Sequence, residues 1–544
     1  MFLANNKKIE KNMNKQEDLN YLIIRDQHAR SIIRKSVYSR VVLNFLLIAL
    51  QIVVFVLFLS KLKPYVEFYF GGSILLSTCF LFYLSNCHGK NEFKLAWLVP
   101  VVIFPLFGIS AYFLYHTNTG GLKQKHRLNE LKSITNNFLP EKKELTEVFE
   151  KYPQAQGLCK YLMNAGFYYP HCQNDIQYFS CGEKFYPSLV DDIQNAKKFI
   201  FIEYFIIDVD KTWASILRIL EKKVQEGVEV RVIYDGLGSP TASSKTYQKY
   251  LAQHGIKSHP FSPLIPFFST HQNNRDHRKI VVIDGEVAYT GGLNISNEYM
   301  NVEMEHNRFK YWKDNAIRIQ GSSIQNLTKL FLEDWNIQSS KKNQNSENFN
   351  DYLSLPYKKY DQQGVIVPYG DDAWNDCDIA ENVYLHMISN ANDYLYITTP
   401  YMVVDNQLMD ALIFAAKRGV EVKIIVPSVP DHFITFYVGK TYLKTLVENG
   451  VQVYLYEKGF IHAKTFISDD IAATVGSVNL DYRSLYHHFE CGAAMYSCPV
   501  IKEIKADFIE TLNDCKQMDK KDYKKIPVLY RAFARILRIF APLM

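Results

Sequence analysis

The sequence lacks a cysteine framework. Its nine cysteines are scattered without a Cys-x-x-Cys pair, and an odd, unpaired set argues against a disulfide-stapled secreted domain. The same scatter disfavours a cysteine-based zinc site. A strong charge excess is also missing, because the formal net charge is only +6 over 544 residues. That value fits an anionic partner surface, whereas an enzyme acting on nucleic acid would be expected to show a stronger basic stripe.

A cleaved signal peptide is not evident, because the first forty residues are polar and basic. Three apolar stretches follow, each close to the roughly 20 residues that cross a bilayer. We expect transmembrane segments at about 41–59, 68–85 and 95–115, within a membrane region of 41–116 that follows a basic head of residues 1–40. The alternative is buried core helices, which seldom run this long without a polar face. Lysines and arginines are almost equally divided between the two membrane sides, so they do not favour one orientation.

From about residue 117 the sequence alternates β-branched runs with amphipathic helices. This pattern predicts an α/β fold with mixed or mainly parallel sheets. The order occurs twice, and the words GVEVRVIYD and GVEVKIIVP mark equivalent strands nearly two hundred residues apart. A repeat of this length indicates two similar domains, which we place at 117–340 and 351–515 with a polar linker between them. The amphipathic segment at 516–544 is either a packing helix or a contact with anionic lipid.

One motif, His-x-Lys-x4-Asp, is present in both halves. Its copies are His277, Lys279 and Asp284 in the first half and His462, Lys464 and Asp469 in the second. Each copy is followed by a small polar turn whose asparagine, Asn294 or Asn479, lies seventeen positions after the histidine. A single match could be accidental. Two matches at the same spacing, with a matching second element, indicate a duplicated catalytic site.

The residue types in this motif suit phosphate chemistry. Strand alternation places each histidine and its lysine on one face of a strand. A lysine ammonium repels a metal cation, so we expect neither a metal nor a cofactor, but it stabilises the charge on phosphoryl oxygens. Asn294, Ser477 and Asn479 would contribute neutral groups that bind the substrate. Although the two aspartates belong to the catalytic motif, we interpret them as turn and packing residues and not as proton carriers.

Two histidines match the needs of a double displacement at phosphorus, in which one ring attacks and the other protonates the leaving alkoxide. Each imidazole then requires a carboxylate that holds its tautomer. Asp314 and Glu490 both open a strand-like run after the motif, and we predict them as the orienting residues, with Glu298 as a weaker candidate. The alternative, that each histidine is an ordinary core residue, is disfavoured by the matched spacing.

Around these motifs the chain resembles the phospholipase D superfamily and, within it, the bacterial cardiolipin synthases. The resemblance runs from about Lys90 to the C-terminus. The paired His-Lys motifs indicate the superfamily, and the surrounding segments together with the apolar stretches indicate the synthase. The matching segments are Asn274–Lys279, Gly291–Tyr299, Phe331–Trp335, Gly459–Lys464, Gly476–Ser484 and Arg535–Leu543.

The resemblance implies two similar phospholipase D-like domains, each a βαβ sandwich, related by a pseudo-twofold axis behind N-terminal transmembrane helices. It also implies metal-independent transfer of a phosphatidyl group from one phosphatidylglycerol to another, giving cardiolipin and glycerol. By family habit His277 would attack phosphorus, and His462 would act as acid and then as base. Two departures stand out: a third apolar stretch, and His488 at a position where the family usually has asparagine.

Other functions remain open from the sequence. The same chemistry with water or another alcohol as acceptor would make the chain a phospholipase D-type hydrolase or a different transphosphatidylase, and a non-enzymatic lipid-binding protein is a third possibility. For the synthase we expect a multi-pass protein of the bacterial cell membrane. Its partners would be phosphatidylglycerol and anionic membrane lipid, without nucleic acid, and homo-oligomerisation is left open.

Overall fold

The computed structural model describes residues 46, 48–57, 60–61, 65–115, 121–138, 142–263, 274–304, 308–338, 349–375 and 377–543. The predicted basic head at 1–40, the start of the first apolar stretch and most of the predicted linker lie outside the described residues.

Among the described residues, one helix is long and apolar enough to cross a membrane. It spans Val66–Asn86, and its most apolar 18 residues have a mean hydropathy of 1.5, with only 11% of them buried within the protein. It corresponds to the second predicted segment. The helix at Ile48–Leu57, inside the first predicted segment, is shorter than a span.

The third apolar stretch is not the single span that we expected. It is broken at Phe104 into two helices, Asn91–Ile103 and Pro105–Tyr115. The rings of Trp97 and Tyr112 lie 5.5 Å apart, so the chain reverses between the helices and forms a hairpin. At about 1.5 Å per residue neither helix reaches across the roughly 30 Å of a bilayer core. Pro105 lacks the N–H that would continue the first helix.

The first half of the polar body is a seven-stranded mixed sheet in the order β1-β9-β7-β6-β2-β3-β4. Its centre, from β9 to β2, is antiparallel, and β2, β3 and β4 run parallel. The strands of this half are β1 (Asp175–Phe179), β2 (Phe199–Tyr204), β3 (Glu229–Asp235), β4 (Lys257–Phe261), β5 (Arg275–Asp276), β6 (Lys279–Ile283), β7 (Val287–Gly291), β8 (Trp312–Lys313) and β9 (Ala316–Gln320). The helices before and within it are Leu122–Thr135, Lys142–Lys151, Gln156–Gly166, Gly182–Asn195, Lys211–Gln225, Lys245–Gln253 and Ile324–Gln338.

The second half repeats this order as β10-β19-β17-β16-β11-β13-β14, and β20 is added at the edge. Its strands are β10 (Val365–Asp371), β11 (Tyr394–Thr398), β12 (Met402–Val403), β13 (Glu421–Pro427), β14 (Gln452–Tyr456), β15 (Phe460–Ile461), β16 (Thr465–Ser468), β17 (Ala472–Gly476), β18 (Leu480–Asp481), β19 (His488–Tyr496) and β20 (Cys515–Gln517). Its helices are Asn350–Leu353, Ile379–Asn390, Asn406–Lys417, Phe433–Glu448, Tyr482–Tyr486, Val500–Leu512, Asp522–Lys525 and Val528–Leu537. The predicted α/β fold with mixed sheets is confirmed, and the domain boundaries remain predictions.

Two short strand pairs connect the two halves by backbone hydrogen bonds. β5 of the first half runs parallel to β19 of the second, and β15 of the second half runs parallel to β8 of the first. The sheets also share one hydrophobic core, in which Val282 of β6 and Phe466 of β16 belong to the same buried cluster. Thr290 of β7 lies 3.3 Å from Cys491 of β19. The equivalent strands of the two halves therefore face each other across the interface where the histidines lie.

Candidate active site

Each motif histidine is anchored to the opposite half of the chain. His277 lies between β5 and β6, and its backbone N–H donates to the carbonyl of Phe489 at 2.8 Å. His462 follows β15, and its N–H donates to the carbonyl of Lys313 at 2.7 Å. Both residues are only 6% exposed. The strand exchange thus fixes both rings in the interface between the sheets.

The carboxylates that orient the rings are exchanged in the same way. Nδ1 of His277 lies 2.9 Å from both carboxylate oxygens of Glu490, and Nδ1 of His462 lies 2.7 Å from Oδ2 of Asp314. Both carboxylates are fully buried. Because Nδ1 of each ring faces a carboxylate, Nε2 is the nitrogen left for a substrate. The structure therefore brings Asp314 and Glu490 to the histidines, each across the interface, and neither ring needs the weaker candidate Glu298.

Two buried lysines make this interface a site for anions. Burial lowers the pKa of Lys279 to about 8 and the pKa of Lys464 to about 7. Each ammonium donates to the backbone carbonyl of its own motif histidine. A bound phosphate would favour the charged form of both lysines, because an opposite charge in a buried site stabilises it.

The histidines are held neutral before substrate binds. Burial and the positive charges of Lys279 and Lys464 lower the pKa of His277 well below its usual value. Burial and the charge of Lys464 lower the pKa of His462 to about 4, although Asp314 opposes this shift. Burial alone would raise the pKa of Asp314, but the positive charge of Lys464 and the hydrogen bond from His462 hold it below its usual range. A neutral ring with a free Nε2 is the form that can attack phosphorus.

The asparagines that follow the motifs retain unused polar atoms. Oδ1 of Asn294 accepts from the N–H of Ile206 at 3.1 Å, and its Nδ2 is buried without a partner among the described residues. Oδ1 of Asn479 is likewise buried without a partner in the described part of the chain. A ligand that bonds to Nδ2 of Asn294 and Oδ1 of Asn479 would therefore satisfy these two buried atoms.

Ser477 contacts one of the orienting carboxylates. Its hydroxyl donates to Glu490 and accepts from the N–H of Cys491 at 3.0 Å, so it is occupied by the carboxylate that holds His277. The equivalent residue of the first half is Gly292, and a Cβ there would collide with the carboxylate of Asp314. The structure therefore shows Ser477 in contact with Glu490, and its role in binding substrate remains a prediction.

Asp284 and Asp469, which the motif groups with the catalytic residues, are remote from the rings. Asp284 follows the far end of β6, and its carboxylate accepts from the backbone N–H groups of Lys197, Lys198 and Phe199 at 2.7–2.9 Å. Asp469 accepts in the same way from residues 392–394 at 2.7–3.0 Å. Both lie in turns with positive φ, near 57° and 55°. The prediction that Asp284 and Asp469 belong to the catalytic residues is therefore wrong. Their carboxylates stabilise the backbone of the loops that precede β2 and β11.

Replacing Asp284 with alanine should lower stability and spare the chemistry. Three backbone N–H groups would lose a charged acceptor, so we expect the free energy of unfolding to fall by about 2–3 kcal/mol. Thermal unfolding in detergent measures the loss, and the turnover rate of the folded fraction should stay within about twofold of the unaltered chain. A much larger loss of turnover at unchanged stability would return Asp284 to the catalytic group.

The sequence did not anticipate two rings that pack on the histidines. The ring of His488 lies 5.6 Å from that of His277 at 45°, and the ring of Trp312 lies 5.5 Å from that of His462 at 46°. His488 and Trp312 occupy equivalent positions, each two residues before its orienting carboxylate. Their shared position, two residues before Glu490 and Asp314, was the sequence signal that could have identified them.

Among the described residues, two groups of side chains have spacings that suit a metal ion. His277, His488 and Glu490 offer ligand atoms within 4.8 Å of one another, and so do Glu203, Asp276 and Asp334. In the first group Glu490 already holds His277 and Ser477, and the two nearby lysines oppose a cation. In the second group Arg278 lies 3.0 Å from Asp334 and supplies the positive charge.

Comparisons with known proteins agree with this geometry. The family model described as "Cardiolipin synthase, PLD-like domain" matches residues 189–335 and 384–512. A cardiolipin synthase of Geobacillus sp. (strain WCH70) is 32% identical over 91% of this chain and 99% of its own length. An uncharacterised protein of Streptococcus mutans serotype c is 39% identical over 85% of this chain and 99% of its own. The crystal structure of the phosphatidylserine synthase of Haemophilus influenzae Rd KW20 has a TM-score of 0.54 at 15% identity, covering 72% of this chain and all of that one, which is a likeness of fold.

Proposed function

The chain belongs to the family of cardiolipin synthases with phospholipase D-like domains, and from this membership we propose that it joins two phosphatidylglycerol molecules into cardiolipin and releases glycerol. The observation that carries the proposal is the pair of histidines, each oriented by a carboxylate of the opposite half, beside two buried lysines. Two oriented imidazoles are what a double displacement at phosphorus requires.

In the first step Nε2 of His277 attacks the phosphorus of one phosphatidylglycerol. The bond from phosphorus to the headgroup glycerol breaks, and the leaving alkoxide takes the Nε2 proton of His462, whose imidazolium form the phosphate of the bound lipid favours. A phosphatidyl group then remains on His277. Lys279 and Lys464 stabilise the negative charge that builds up on the phosphoryl oxygens, and this stabilisation is strong because water is excluded from the buried site.

In the second step a headgroup hydroxyl of another phosphatidylglycerol gives its proton to Nε2 of His462 and attacks the same phosphorus. The bond from phosphorus to His277 breaks, cardiolipin leaves, and both histidines return to their starting state. The two lipids together thus yield one cardiolipin and one glycerol, with no proton gained or lost.

One asymmetry favours these separate roles. Asp314, 2.7 Å from Nδ1 of His462, opposes the fall in the pKa of that ring and favours its protonated form, as an acid requires. Within the described residues, Nδ1 of His277 faces Glu490 alone, so the proton of that ring stays on Nδ1 and Nε2 keeps its lone pair. This supports His277 as the nucleophile and His462 as the acid.

Product analysis tests the proposal directly. The purified chain is incubated with phosphatidylglycerol labelled in the headgroup glycerol, and lipids and released alcohol are identified by mass spectrometry. We expect cardiolipin and free glycerol in equal amounts. Phosphatidic acid as the main lipid product would instead identify a hydrolase, and an unchanged substrate would reject the enzyme.

The protein would carry out this reaction at the bacterial cell membrane. The helix Val66–Asn86 supports an anchor, because its apolar side chains are mostly exposed. The hairpin of Asn91–Ile103 and Pro105–Tyr115 would enter the same bilayer without crossing it, and a multi-pass arrangement would need a second crossing from the stretch that starts near residue 41. Lys90 ties this region to the second half through Glu381 at 2.5 Å and Asp405 at 2.7 Å.

The C-terminal helix would add a second membrane contact. Val528, Leu529 and Ile536 are 71%, 78% and 59% exposed, and Arg535 is exposed beside them. Apolar side chains flanked by arginine are typical of helices that lie in the interface of an anionic bilayer. The segment Arg538–Leu543 that follows packs on the helix Asn91–Ile103, which places this face near the membrane anchor.

Changing Leu529 and Ile536 together to glutamate should therefore lower cardiolipin synthesis in vesicles by about tenfold or more, because the helix loses two apolar contacts and gains two charges that the anionic surface repels. Turnover of a short-chain, monomeric phosphatidylglycerol should be unaffected. The matched control is Phe414→Glu, an exposed apolar residue elsewhere, which should change neither rate. An equal loss with both substrates would point to misfolding and contradict the membrane contact.

A further inference from the structure

A cavity of about 340 Å³ lies between the membrane region and the catalytic halves. One side is formed by the end of the helix Val66–Asn86 and by the helix Asn91–Ile103. The other side includes Asn274, three residues before His277, and His487, which precedes His488. The cavity thus reaches from the helices of the membrane region to the segments that carry the catalytic groups.

One wall of this cavity is aromatic. The rings of Trp97 and Tyr112 meet edge to face at 5.5 Å, and Phe93 packs edge to face on Tyr486 at 5.6 Å and on His487 at 5.4 Å. All five residues line the cavity. Such a wall suits the apolar part of a ligand that enters from a bilayer, because it replaces the contacts that the ligand makes with neighbouring lipid.

The polar side of the cavity carries one lysine that no described acidic side chain pairs with. Lys94 and His88 line it, and their side chains make no ion pair or hydrogen bond with the described residues. Lys90, by contrast, is held by Glu381 and Asp405. A lysine left unpaired at the edge of a pocket is suited to an anionic group of the ligand.

A buried amide points to the same conclusion. The side chain of Asn274 is 2% exposed, and its Nδ2 has no hydrogen-bond partner within the described ranges. A buried N–H donor without an acceptor is costly, so a ligand oxygen in the cavity would stabilise it. The carboxylate of Asp378, which is 45% exposed, lines the cavity and can accept a hydrogen bond from a hydroxyl group.

We propose that this cavity binds the phosphoglycerol headgroup of an anionic glycerophospholipid from the bilayer before the lipid enters the catalytic interface. The phosphate contacts Lys94 and His88, the glycerol hydroxyls contact Asn274 and Asp378, and the acyl end lies against the aromatic wall. The volume is at the lower end of the range for small-molecule sites, which fits a headgroup alone. The assignment rests on the proposed function, which makes phosphatidylglycerol the substrate.

Steady-state kinetics of the full chain provide the first test. Lys94→Ala should raise KM for phosphatidylglycerol in mixed micelles by about tenfold and change kcat by less than about twofold, because the residue binds substrate outside the reacting groups. The matched control is Lys123→Ala, an exposed lysine outside the cavity. It should behave like the unaltered chain. An unchanged KM for Lys94→Ala would overturn the proposal.

Photocrosslinking provides a readout that does not depend on turnover. A phosphatidylglycerol with a diazirine near its glycerol backbone, added to the His277→Ala chain in vesicles, should label residues 84–112. Excess unlabelled phosphatidylglycerol should suppress the labelling, and excess phosphatidylcholine should not. Labelling elsewhere would remove the site, even if the unaltered chain makes cardiolipin. Labelling at 84–112 together with an unaltered chain that makes no cardiolipin would keep the site and reject the synthase.

Discussion

His277→Ala should slow cardiolipin formation by at least about 10⁴-fold, because it removes the atom that accepts the phosphatidyl group. His462→Ala should cost about 10²–10⁴-fold, the usual effect of removing a general acid and base. The double variant should be hardly slower than His277→Ala alone, since the two rings act on one phosphorus atom and their effects are not additive. Cardiolipin released from labelled phosphatidylglycerol measures all three rates.

A rapid acid-free quench separates the roles of the two rings. Label from the phosphatidyl group should accumulate on the His462→Ala chain, where the intermediate lacks the base that activates its acceptor. It should be absent from the His277→Ala chain. Label on the His277→Ala chain would mean that His462 is the nucleophile and would reverse the assignment. Normal turnover by either variant would reject the mechanism in which both histidines take part.

The second large effect concerns the exchanged carboxylates. Glu490→Gln and Asp314→Asn should each lower kcat by about 10²–10⁴-fold, because an amide keeps the shape of the side chain but holds the imidazole in the wrong tautomer. In the His277→Ala chain, Glu490→Gln should cause almost no further loss of kcat, although the two residues belong to different halves. Its effect should add to that of a remote change such as Asp284→Ala.

Ser477→Ala is the graded comparison for this experiment. It removes one donor to Glu490 and leaves the contact of Glu490 with His277 in place, so a loss of about tenfold or less is expected. If the effect of Glu490→Gln on the rate were non-additive with His462→Ala and additive with His277→Ala, the pairing of Glu490 with His277 would be contradicted. Thermal unfolding of each variant shows whether a lost rate reflects lost structure.

The sequence predicted those features that depend on local order. The strands Glu229–Asp235 and Glu421–Pro427 lie within the segments GVEVRVIYD and GVEVKIIVP that predicted them, because apolar periodicity and glycine stops are properties of short segments. The spacing of His277 and Lys279 likewise follows from strand alternation.

What the sequence could not give depends on how distant segments meet. Asp314 and Glu490 were chosen from their positions after the motifs, but their pairing with the histidine of the opposite half follows from β5 beside β19 and β15 beside β8. Ser477 is predicted to bind substrate, and nothing local in the sequence reveals its contact with Glu490. The third apolar stretch has the length of a span, and only the contact of Trp97 with Tyr112 reveals the hairpin.

Because of the exchanged strands, each half depends on the other to complete its part of the site. Neither half, expressed alone, would own a complete acid–imidazole pair, so a duplicated ancestor that worked as a homodimer could fuse without altering its chemistry. After the fusion neither half could lose its site residues, since each supplies the carboxylate that contacts the histidine of the other half. Mixing the separately produced halves, and not either one alone, is the arrangement in which such a molecule would regain its function.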